Sequence, residues 1–324
     1  MAVTKERIAE HIARVQAALD IFNIKDPRFI LNLEECGISF RESGRRLKAK
    51  AVGRNGSQLL STVVKTQNVE HVTVMGIGNA AGDSFKPVIV FPGTNQHFQR
   101  VKGRTEGLLT HLPPCYAYKR DPAGVDSATF YDWAKEFVFE LDRYRPSGQN
   151  VLLVYDGYKC HIQYRVLKMF RENGIYVISL PAHTSHVLQP LDQSVFGPFK
   201  DHLQRYLRGA ARVTKRLHPF QIARLIKFAL SDAFTASNLQ SGFEKTGIWD
   251  RRSSSTYVRL LEELPFYDDE EDTPPEPVPM LKTVVEKFND RARSLLRDVE
   301  IEKSGTLRVD TKKWGAFDST ESGG

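Results

Sequence analysis

Apolar residues recur along this chain at two spacings, which together predict alternating helices and strands. Spacings of three and four residues predict helices, whereas short runs rich in apolar residues predict strands. The predicted helices cover residues 4–23, 127–144, 162–172, 193–207 and 220–234. The predicted strands cover residues 28–40, 59–66, 71–77, 85–91, 151–156 and 175–180. Because the early strands favour a β-meander and the last two favour a strand–helix–strand unit, we expect an α/β fold.

The segments between and after these elements differ in composition. Residues 44–56 are basic and rich in glycine, which predicts a loop or hairpin, and residues 92–125 predict a long excursion. Residues 265–280 are acidic and rich in proline, which is typical of a disordered linker. The following apolar positions, from Leu281 to Val299, are spaced by 4, 3, 4, 3 and 4 residues. This short stripe favours a helix that packs on its own domain over a coiled-coil homodimer, since it spans fewer than three heptads.

These boundaries predict one central domain with flanking segments. The segments are an N-terminal helix and linker (1–25), the α/β domain (26–250), an acidic linker (251–280), an amphipathic helix (281–302) and a polar tail (303–324).

Charge and composition narrow the class of protein. The chain has 324 residues, a formal net charge of +7 and 41% hydrophobic residues, and no apolar run of about 18 residues that would predict a membrane span. Residues 200–227 contain eight Lys or Arg residues and one acidic residue, which favours a polyanionic partner over a merely solvated basic face. Three widely separated cysteines and the absence of a secretory signal predict the nucleus or cytosol.

Three acidic residues stand out by position. Glu34 lies within the first predicted strand, Asp156 ends the apolar run 151–156, and Asp192 follows after 35 intervening residues. A strand–helix–strand unit fits between the last two, so both acids can reach one end of a sheet. Converging carboxylates repel one another, and a hard divalent cation such as Mg²⁺ is their natural partner. An acid after an apolar strand is also common as a helix cap, so this spacing alone leaves both interpretations open.

Histidine and cysteine residues near these acids raise the alternative of a zinc site. His183 and His186 supply two of the four ligands that structural zinc requires, and Cys160 and His161 are adjacent rather than spaced. The residue types alone therefore leave zinc open, beside hydrogen bonding of His161, His183 and His186 near the carboxylates.

Several motifs of residues 26–250 together resemble the catalytic core of pogo-like, mariner-type transposases, which are DDE superfamily endonucleases. Residues 151–200 contain Asp-Gly at 156–157 with His161, Asn-Gly-Ile at 173–175, and Leu-Pro-x-His-Thr-x-His at 180–186. The same segment continues with Leu-Gln-Pro-Leu-Asp at 188–192 and Phe-Gly-Pro-Phe-Lys at 196–200. Outside it lie Asn-Leu-Glu-Glu-x-Gly at 32–37 and Gly-Phe-x-x-Thr-Gly-Ile at 242–248.

The resemblance implies a ribonuclease H-like fold, with a mixed five-stranded sheet flanked by helices and, here, a helical C-terminal extension. It implies DNA cleavage and strand transfer with two Mg²⁺ or Mn²⁺ ions held by Glu34, Asp156 and Asp192. The histidines His161, His183 and His186 match the family's motifs, which favours hydrogen bonding near the carboxylates over zinc. Together with Gln189 they would support that site. Lys200, Arg205 and Arg208 share one predicted helix that begins at the site, and we expect them to contact DNA phosphates.

Two departures from the family's pattern bear on activity. The first acid of the family is an aspartate, whereas Glu34 extends one methylene further, on the order of 1.5 Å. A displacement of about 1 Å can cost on the order of 100-fold in rate, so Glu34 favours metal binding over cleavage. Glu35 cannot substitute for it, because adjacent strand residues face opposite sides.

The second departure is that only about 25 residues precede the first predicted strand, where the family carries helix-turn-helix domains. We therefore do not expect this chain to recognise transposon ends by sequence. A truncated, decaying or host-adopted element would explain both departures, as would a gene model that starts too late.

Three functions remain open from the sequence. The first is an active metal-dependent DNA endonuclease and transposase. The second is a catalytically silent, domesticated nucleic-acid-binding protein. The third is a protein-interaction module that works through the acidic linker and the helix at 281–302.

Overall fold

A mixed β-sheet with helices on both faces forms the centre of the protein. The computed structural model describes residues 5–40, 65–66, 69–93, 96–97, 108, 110–211, 213–214 and 216–249. Contacts divide the chain into two compact units, residues 1–267 and 268–324, and every described residue belongs to the first. The predicted loop at 44–56, most of the strand at 59–66, the linker, the helix at 281–302 and the tail lie outside the described residues.

The described elements follow the order that the sequence predicts, with some additions. The helices are α1 (Lys5–Ile21), α2 (Ser127–Tyr144), α3 (Tyr164–Glu172), α4 (Ser185–Leu188), α5 (Pro190–Ser194), α6 (Phe196–Ala211), α7 (Pro219–Ala233) and α8 (Ala236–Lys245). The strands are β1 (Ile30–Ser39), β2 (Lys65–Thr66), β3 (His71–Asn79), β4 (Val88–Pro92), β5 (Gln96–His97), β6 (Tyr116–Arg120), β7 (Val151–Tyr155), β8 (Ile175–Ser179) and β9 (Arg216–Leu217).

Within the described residues the main sheet has seven strands, in the order β5-β6-β4-β3-β1-β7-β8. Strand β3 pairs antiparallel with β1 and β4, whereas β7 pairs in parallel with both β1 and β8. This topology is ribonuclease H-like, and it confirms the predicted fold class. The five expected strands are β1, β3, β4, β7 and β8, and the short strands β6 and β5 extend the sheet beyond β4.

The two faces of the sheet carry separate hydrophobic clusters, because side chains of a strand alternate between faces. On β1, Leu31 and Leu33 join the cluster that includes residues of α1, α2 and α3. Cys36 and Ile38 of the same strand join the cluster that includes residues of α6, α7 and α8. The site described below lies where β1 extends past the end of β7, within reach of both faces.

Local sequence signals explain where the helices begin. Asp126 accepts a hydrogen bond from the backbone N–H of Thr129 at 2.8 Å and caps α2. Helix α7 begins with Pro219 and has a reciprocal cap in which His218 and Gln221 exchange hydrogen bonds.

Three details of the sequence prediction were wrong. Residues 92–125 contain strands β5 and β6 rather than only loop, because glycine and proline around a five-residue strand obscured its pattern. The helix predicted at 193–207 is preceded by α4 and α5, since Pro190 starts a separate turn. Helix α8 was not predicted; it begins at Thr235, whose hydroxyl accepts from the backbone N–H of Asn238.

Candidate functional site

The parallel pairing of β1 and β7 brings Glu34 level with Asp156. The last paired residues of these strands are Asn32 and Val154, so two residues further along each chain stand Glu34 and Asp156. Strand β7 ends at Tyr155, and Asp156 therefore lies just beyond its C-terminal end, beside the continuing β1. The predicted strand–helix–strand unit thus forms, and it places Asp156 at this end of the strands.

Glu34 is a partly buried carboxyl group. Gln189 donates a short hydrogen bond from Nε2 to its Oε2 atom. Burial raises the pKa of Glu34 to about 8, and the negative charges of Asp192, Asp156 and Glu35 contribute to the same shift. Glu34 therefore interacts electrostatically with both other predicted metal ligands.

Asp192 lies in the first turn of α5, where its side chain remains exposed. Partial desolvation and the charge of Asp156 raise its pKa, whereas the nearby Lys200 ammonium lowers it. Lys200, in the second turn of α6, is also near enough to lower the pKa of the buried Cys36 thiol, which burial raises to about 11. One lysine is thus present next to the acidic cluster.

Asp156 is paired with a buried histidine. His161 donates from Nδ1 to Oδ1 of Asp156 at 2.5 Å, and its Nε2 atom lies 2.7 Å from Oε1 of Glu35. Burial lowers the pKa of His161, but the hydrogen bonds to Asp156, Cys160 and Glu35 outweigh it and raise the value to about 11. Burial likewise raises the pKa of Asp156, and the His161 contact outweighs this and lowers it. Asp156 and His161 therefore form an ion pair over a broad pH range.

A buried polar network fixes the elements that carry the three acids. The side-chain amide of Asn32 donates to the carbonyl oxygen of Val154 at 2.8 Å and to Oε1 of Gln189 at 2.8 Å. Its Oδ1 atom accepts from the backbone N–H of Leu191 at 3.1 Å. Since Asn32 and Gln189 are fully buried, this network locks β1, β7 and the start of α5 into one arrangement.

The donor set fits a hard divalent cation. Carboxylate oxygens are the preferred protein ligands of Mg²⁺ and Mn²⁺, and the three acids interact repulsively in the absence of a cation. Burial is the main cause of the raised pKa of Glu34, and the charges of the neighbouring carboxylates add to it. Glu34, Asp156 and Asp192 are the residues whose chemistry suits such an ion, although within the described residues their ligand atoms do not all lie within 4.8 Å of one another.

The zinc alternative rested on Cys160, His161, His183 and His186, and among the described residues the group close enough to hold an ion contains neither His183 nor His186. Ligand atoms of Glu35, Cys160 and His161 lie within 4.8 Å of one another. Two zinc bonds of about 2.0–2.1 Å at a tetrahedral angle would place their ligand atoms about 3.3 Å apart. The separation of 2.7 Å between His161 and Glu35 is instead that of a direct hydrogen bond.

The other predicted site residues fall into two groups. Gln189 contacts Glu34, and His161 contacts Asp156, as described. His183 and His186 are exposed in the segment after β8, and neither side chain hydrogen-bonds to a carboxylate of the described residues. The expectation of such a bond was therefore wrong for these two histidines, because their side chains point to solvent. His183 adopts a φ of 66°, which is uncommon for a residue other than glycine.

Arg205 and Arg208 are exposed on α6, with Lys200 one to two turns nearer the carboxylates. The three residues lie within an arc of about 140° of the helix surface, and Arg208 lies about 12 Å along the axis from Lys200. They thus form a basic stripe (Lys200, Arg205 and Arg208) that begins at the site.

Two residues of the site were missed from the sequence. Glu35 was set aside because its side chain faces away from Glu34. On that other face of the sheet, however, its Oε1 atom lies 2.7 Å from Nε2 of His161. Asn32 was quoted only as part of a motif. The signal available for both was polarity within a strand whose other positions are mostly apolar, since buried polar groups require partners.

The strand order defines a ribonuclease H-like fold, in which Glu34, Asp156 and Asp192 lie on β1, just after β7 and on α5. Residues 69–238, more than half of the chain, match the family model described as DDE superfamily endonuclease. The chain therefore belongs to the DDE superfamily endonucleases.

Individual relatives share low sequence identity with it. The chain is 26% identical over 252 residues to a protein named MFS-type transporter clz9 from Cochliobolus lunatus, covering 76% of this chain and a quarter of that protein. None of the described helices combines the length and apolar character that a bilayer span requires. The Mos1 mariner paired end complex with Mn matches at 14% identity and a TM-score of 0.46, covering 81% of this chain and 63% of that one. The catalytic domain of Mos1 mariner transposase matches at 12% identity and a TM-score of 0.43, covering 81% and 95%.

Proposed function

We propose that this protein binds DNA and holds two divalent metal ions, Mg²⁺ or Mn²⁺, at Glu34, Asp156 and Asp192. The observation that carries the proposal is the placement of these three carboxylates: Glu34 on β1 stands level with Asp156 beyond the end of β7, and both interact electrostatically with Asp192 on α5. Family membership supports it, and structures of Mos1 transposase are described with Mn and with Mg.

The chain's own residues would orient the reacting groups. Bound metal ions would activate a water or 3′-hydroxyl and stabilise the leaving oxygen of a phosphodiester. Asp156 is held by His161 in its ionised form, and Gln189 orients Glu34. The basic stripe on α6 would hold the phosphate backbone beside the carboxylates.

Cleavage and binding make different demands on Glu34. Binding requires only that its carboxylate reach an ion, whereas cleavage requires the two ions to stand about 3.5–4 Å apart. The additional methylene of Glu34 relative to aspartate therefore favours binding of metal and DNA over efficient cleavage. A catalytically silent, domesticated or decayed transposase is the second candidate function, and Glu34 is the observation that favours it.

Nicking of supercoiled plasmid in Mn²⁺ distinguishes the two candidates. The wild-type chain, Glu34→Asp and Asp156→Ala would be compared at equal concentration, after isothermal titration calorimetry has measured Mn²⁺ binding by each. Wild-type nicking that disappears in Asp156→Ala supports the active enzyme. Nicking by Glu34→Asp but not by the wild type supports the catalytically silent protein. Absence of Mn²⁺ binding by the wild type would refute the proposed metal site.

Cellular location and assembly follow from the same proposal. A DNA substrate implies the nucleus, with the cytosol as the alternative that the sequence leaves open. Homodimerisation through residues 281–302 stays a prediction, which sedimentation of the full chain and of a chain ending at residue 264 would test. An unchanged oligomeric state after this deletion would remove the role of that helix.

A further inference from the structure

His161 links Glu35, on the face of the sheet that α2 covers, to Asp156 beyond the end of β7. Glu34 hydrogen-bonds to Gln189 near α5, whereas the neighbouring Glu35 reaches His161 on the other face. His161 lies against the ring of Phe130 of α2, with ring centroids 4.7 Å apart. Its side chain is 3% exposed. His161 is thus clamped between an aromatic ring and two carboxylates.

Each ring nitrogen of His161 has its own carboxylate partner, Asp156 at Nδ1 and Glu35 at Nε2. The bond from His161 occupies Oδ1 of Asp156, together with a longer contact from the backbone N–H of Tyr158 at 3.4 Å. That leaves Oδ2 of Asp156 as the oxygen for a metal ion. The other ring nitrogen of this buried imidazole also needs a partner, and Glu35 supplies it. Carboxylates that bind metal ions are commonly hydrogen-bonded by a neighbouring group, as Asp156 is by His161.

We propose that Glu35 is a positioning residue, which acts through His161 to orient Asp156 for metal binding without itself contacting the metal. The inference deepens the proposed function and rests on it. Glu35 differs in role from Glu34, although the two are adjacent, because the alternation of β1 sends their side chains to opposite faces.

The experiment measures metal affinity and histidine geometry in the full chain. Mn²⁺ affinity would be measured by isothermal titration calorimetry for the wild type, Glu35→Ala, Glu35→Gln and the control Glu136→Ala, which removes one exposed acid from α2. We expect Glu35→Ala to bind Mn²⁺ about 10-fold more weakly, the lower end of the effect of removing a ligand's direct partner, because Glu35 acts one contact further away, through His161. Glu35→Gln still bonds to the imidazole, so it should retain affinity within about threefold of the wild type.

A double substitution separates positioning from direct ligation. In the His161→Ala background, Glu35→Ala should change Mn²⁺ affinity by no more than about threefold, the effect left to its charge near Glu34, because its route to Asp156 through His161 is gone. An additional loss there, or a Glu35→Gln protein as weak as Asp156→Ala, would identify Glu35 as a metal ligand and overturn the inference. Wild-type affinity in Glu35→Ala would overturn it as well. Cooperative thermal unfolding of each variant excludes misfolding as the cause.

A readout without metal distinguishes failure of this inference from failure of the proposed function. Nitrogen-15 NMR of the metal-free protein reports the environment of each His161 ring nitrogen. Glu35→Ala should shift the Nδ1 signal, which faces Asp156, as well as the Nε2 signal, whereas Glu136→Ala should shift neither. An unchanged Nδ1 signal in Glu35→Ala would refute the inference even if the wild type binds Mn²⁺. Absence of Mn²⁺ binding with a shifted Nδ1 signal sinks the proposed metal function and leaves the positioning of Asp156 in place.

Discussion

Asn32 and Gln189 are separated by 157 positions in the chain, yet their fully buried side chains share a hydrogen bond of 2.8 Å. Gln189 also donates to the carbonyl oxygen of Leu33 and to Glu34. This contact joins the strand that carries Glu34 to the turn that carries Asp192. The site therefore depends on a buried polar contact as well as on the carboxylates themselves.

Gln189→Ala should destabilise the protein by about 2–4 kcal/mol, because it leaves buried donors and acceptors without partners. Urea unfolding followed by circular dichroism measures the change. Gln204→Ala, at an exposed position of α6, is the matched control and should change the stability by less than about 0.5 kcal/mol. If both variants unfold at the same urea concentration, the network does not hold these elements together.

Close packing of α8 against α5 gives a second test of how Asp192 is positioned. A Cβ atom at Gly242 would lie 2.6 Å from Oγ of Ser194 and would also clash with the carbonyl oxygen of Pro190. Gly242→Ala should therefore destabilise the protein by about 1–3 kcal/mol, as overpacking does. Thermal unfolding is the measurement.

Gly209 provides the matched control for this substitution. It lies in α6 with no atom within 4 Å of an added Cβ, so Gly209→Ala should be neutral or stabilise by up to about 1 kcal/mol. Equal effects of the two substitutions would show that α5 and α8 are not packed as described.

Sequence patterns were sufficient for the parts of the fold that repeat regularly. Helix α2 has the predicted bounds, 127–144, because its apolar face is uninterrupted and Asp126 caps it. Strands β7 and β8 were evident as unbroken apolar runs. Strand β6 was not evident, because it has only five residues and depends on pairing with β4. The separation of α5 from α6 was not evident either, because α5 is only five residues long.

The candidate site was predictable only in part for a similar reason. Asp156 and Asp192 follow recognisable elements, and their proximity follows from parallel pairing. The role of Glu35 depends on which face of β1 meets the loop that contains His161, and that is a property of the assembled sheet. His183 and His186 belong to the same motif as Asp192, yet motif membership does not determine that their side chains point to solvent.

The raised pKa of Glu34 predicts how stability changes with pH in the absence of metal. The folded-state pKa of Glu34, about 8, exceeds its ordinary value of 4.5. Protonation of Glu34 therefore makes its full contribution to the free energy of unfolding below pH 4.5, and this contribution is lost as the pH rises through 8. Glu34→Gln removes this loss. At pH 9 without metal it should melt at least about 2 °C above the wild type, and at pH 4.5 the two should melt together.

Bound metal should stabilise the wild type more than it stabilises Glu34→Gln. Saturating Mg²⁺ at pH 8.5 stabilises the protein that binds it, so the wild type should gain more in melting temperature than Glu34→Gln. Glu136→Gln, at an exposed position of α2, is the control and should follow the wild type under every condition. A Glu34→Gln protein with the same pH profile as the wild type would show that Glu34 does not titrate as described.

The basic stripe on α6 predicts a specific salt dependence of DNA binding. Arg205 and Arg208 are exposed and lie three residues apart, and a phosphate contact by each contributes a slope of about −0.9 to the logarithm of affinity against that of salt. The double variant Arg205→Ala/Arg208→Ala should therefore bind DNA more weakly, with a slope that is shallower by about 1.8. Fluorescence anisotropy with a labelled duplex, across a salt series, measures both quantities.

Lys168 and Arg171 supply the matched control for the stripe. They are also three residues apart and exposed, but they lie in the C-terminal half of α3. Helix α3 runs back from the end of β7 to the start of β8, so these residues lie toward the N-terminal ends of these strands, away from Asp156. Lys168→Ala/Arg171→Ala removes the same net charge and should leave the slope within about 0.5 of the wild type. Equal slopes for the two double variants would mean that DNA is held by overall charge and that α6 is not its contact surface.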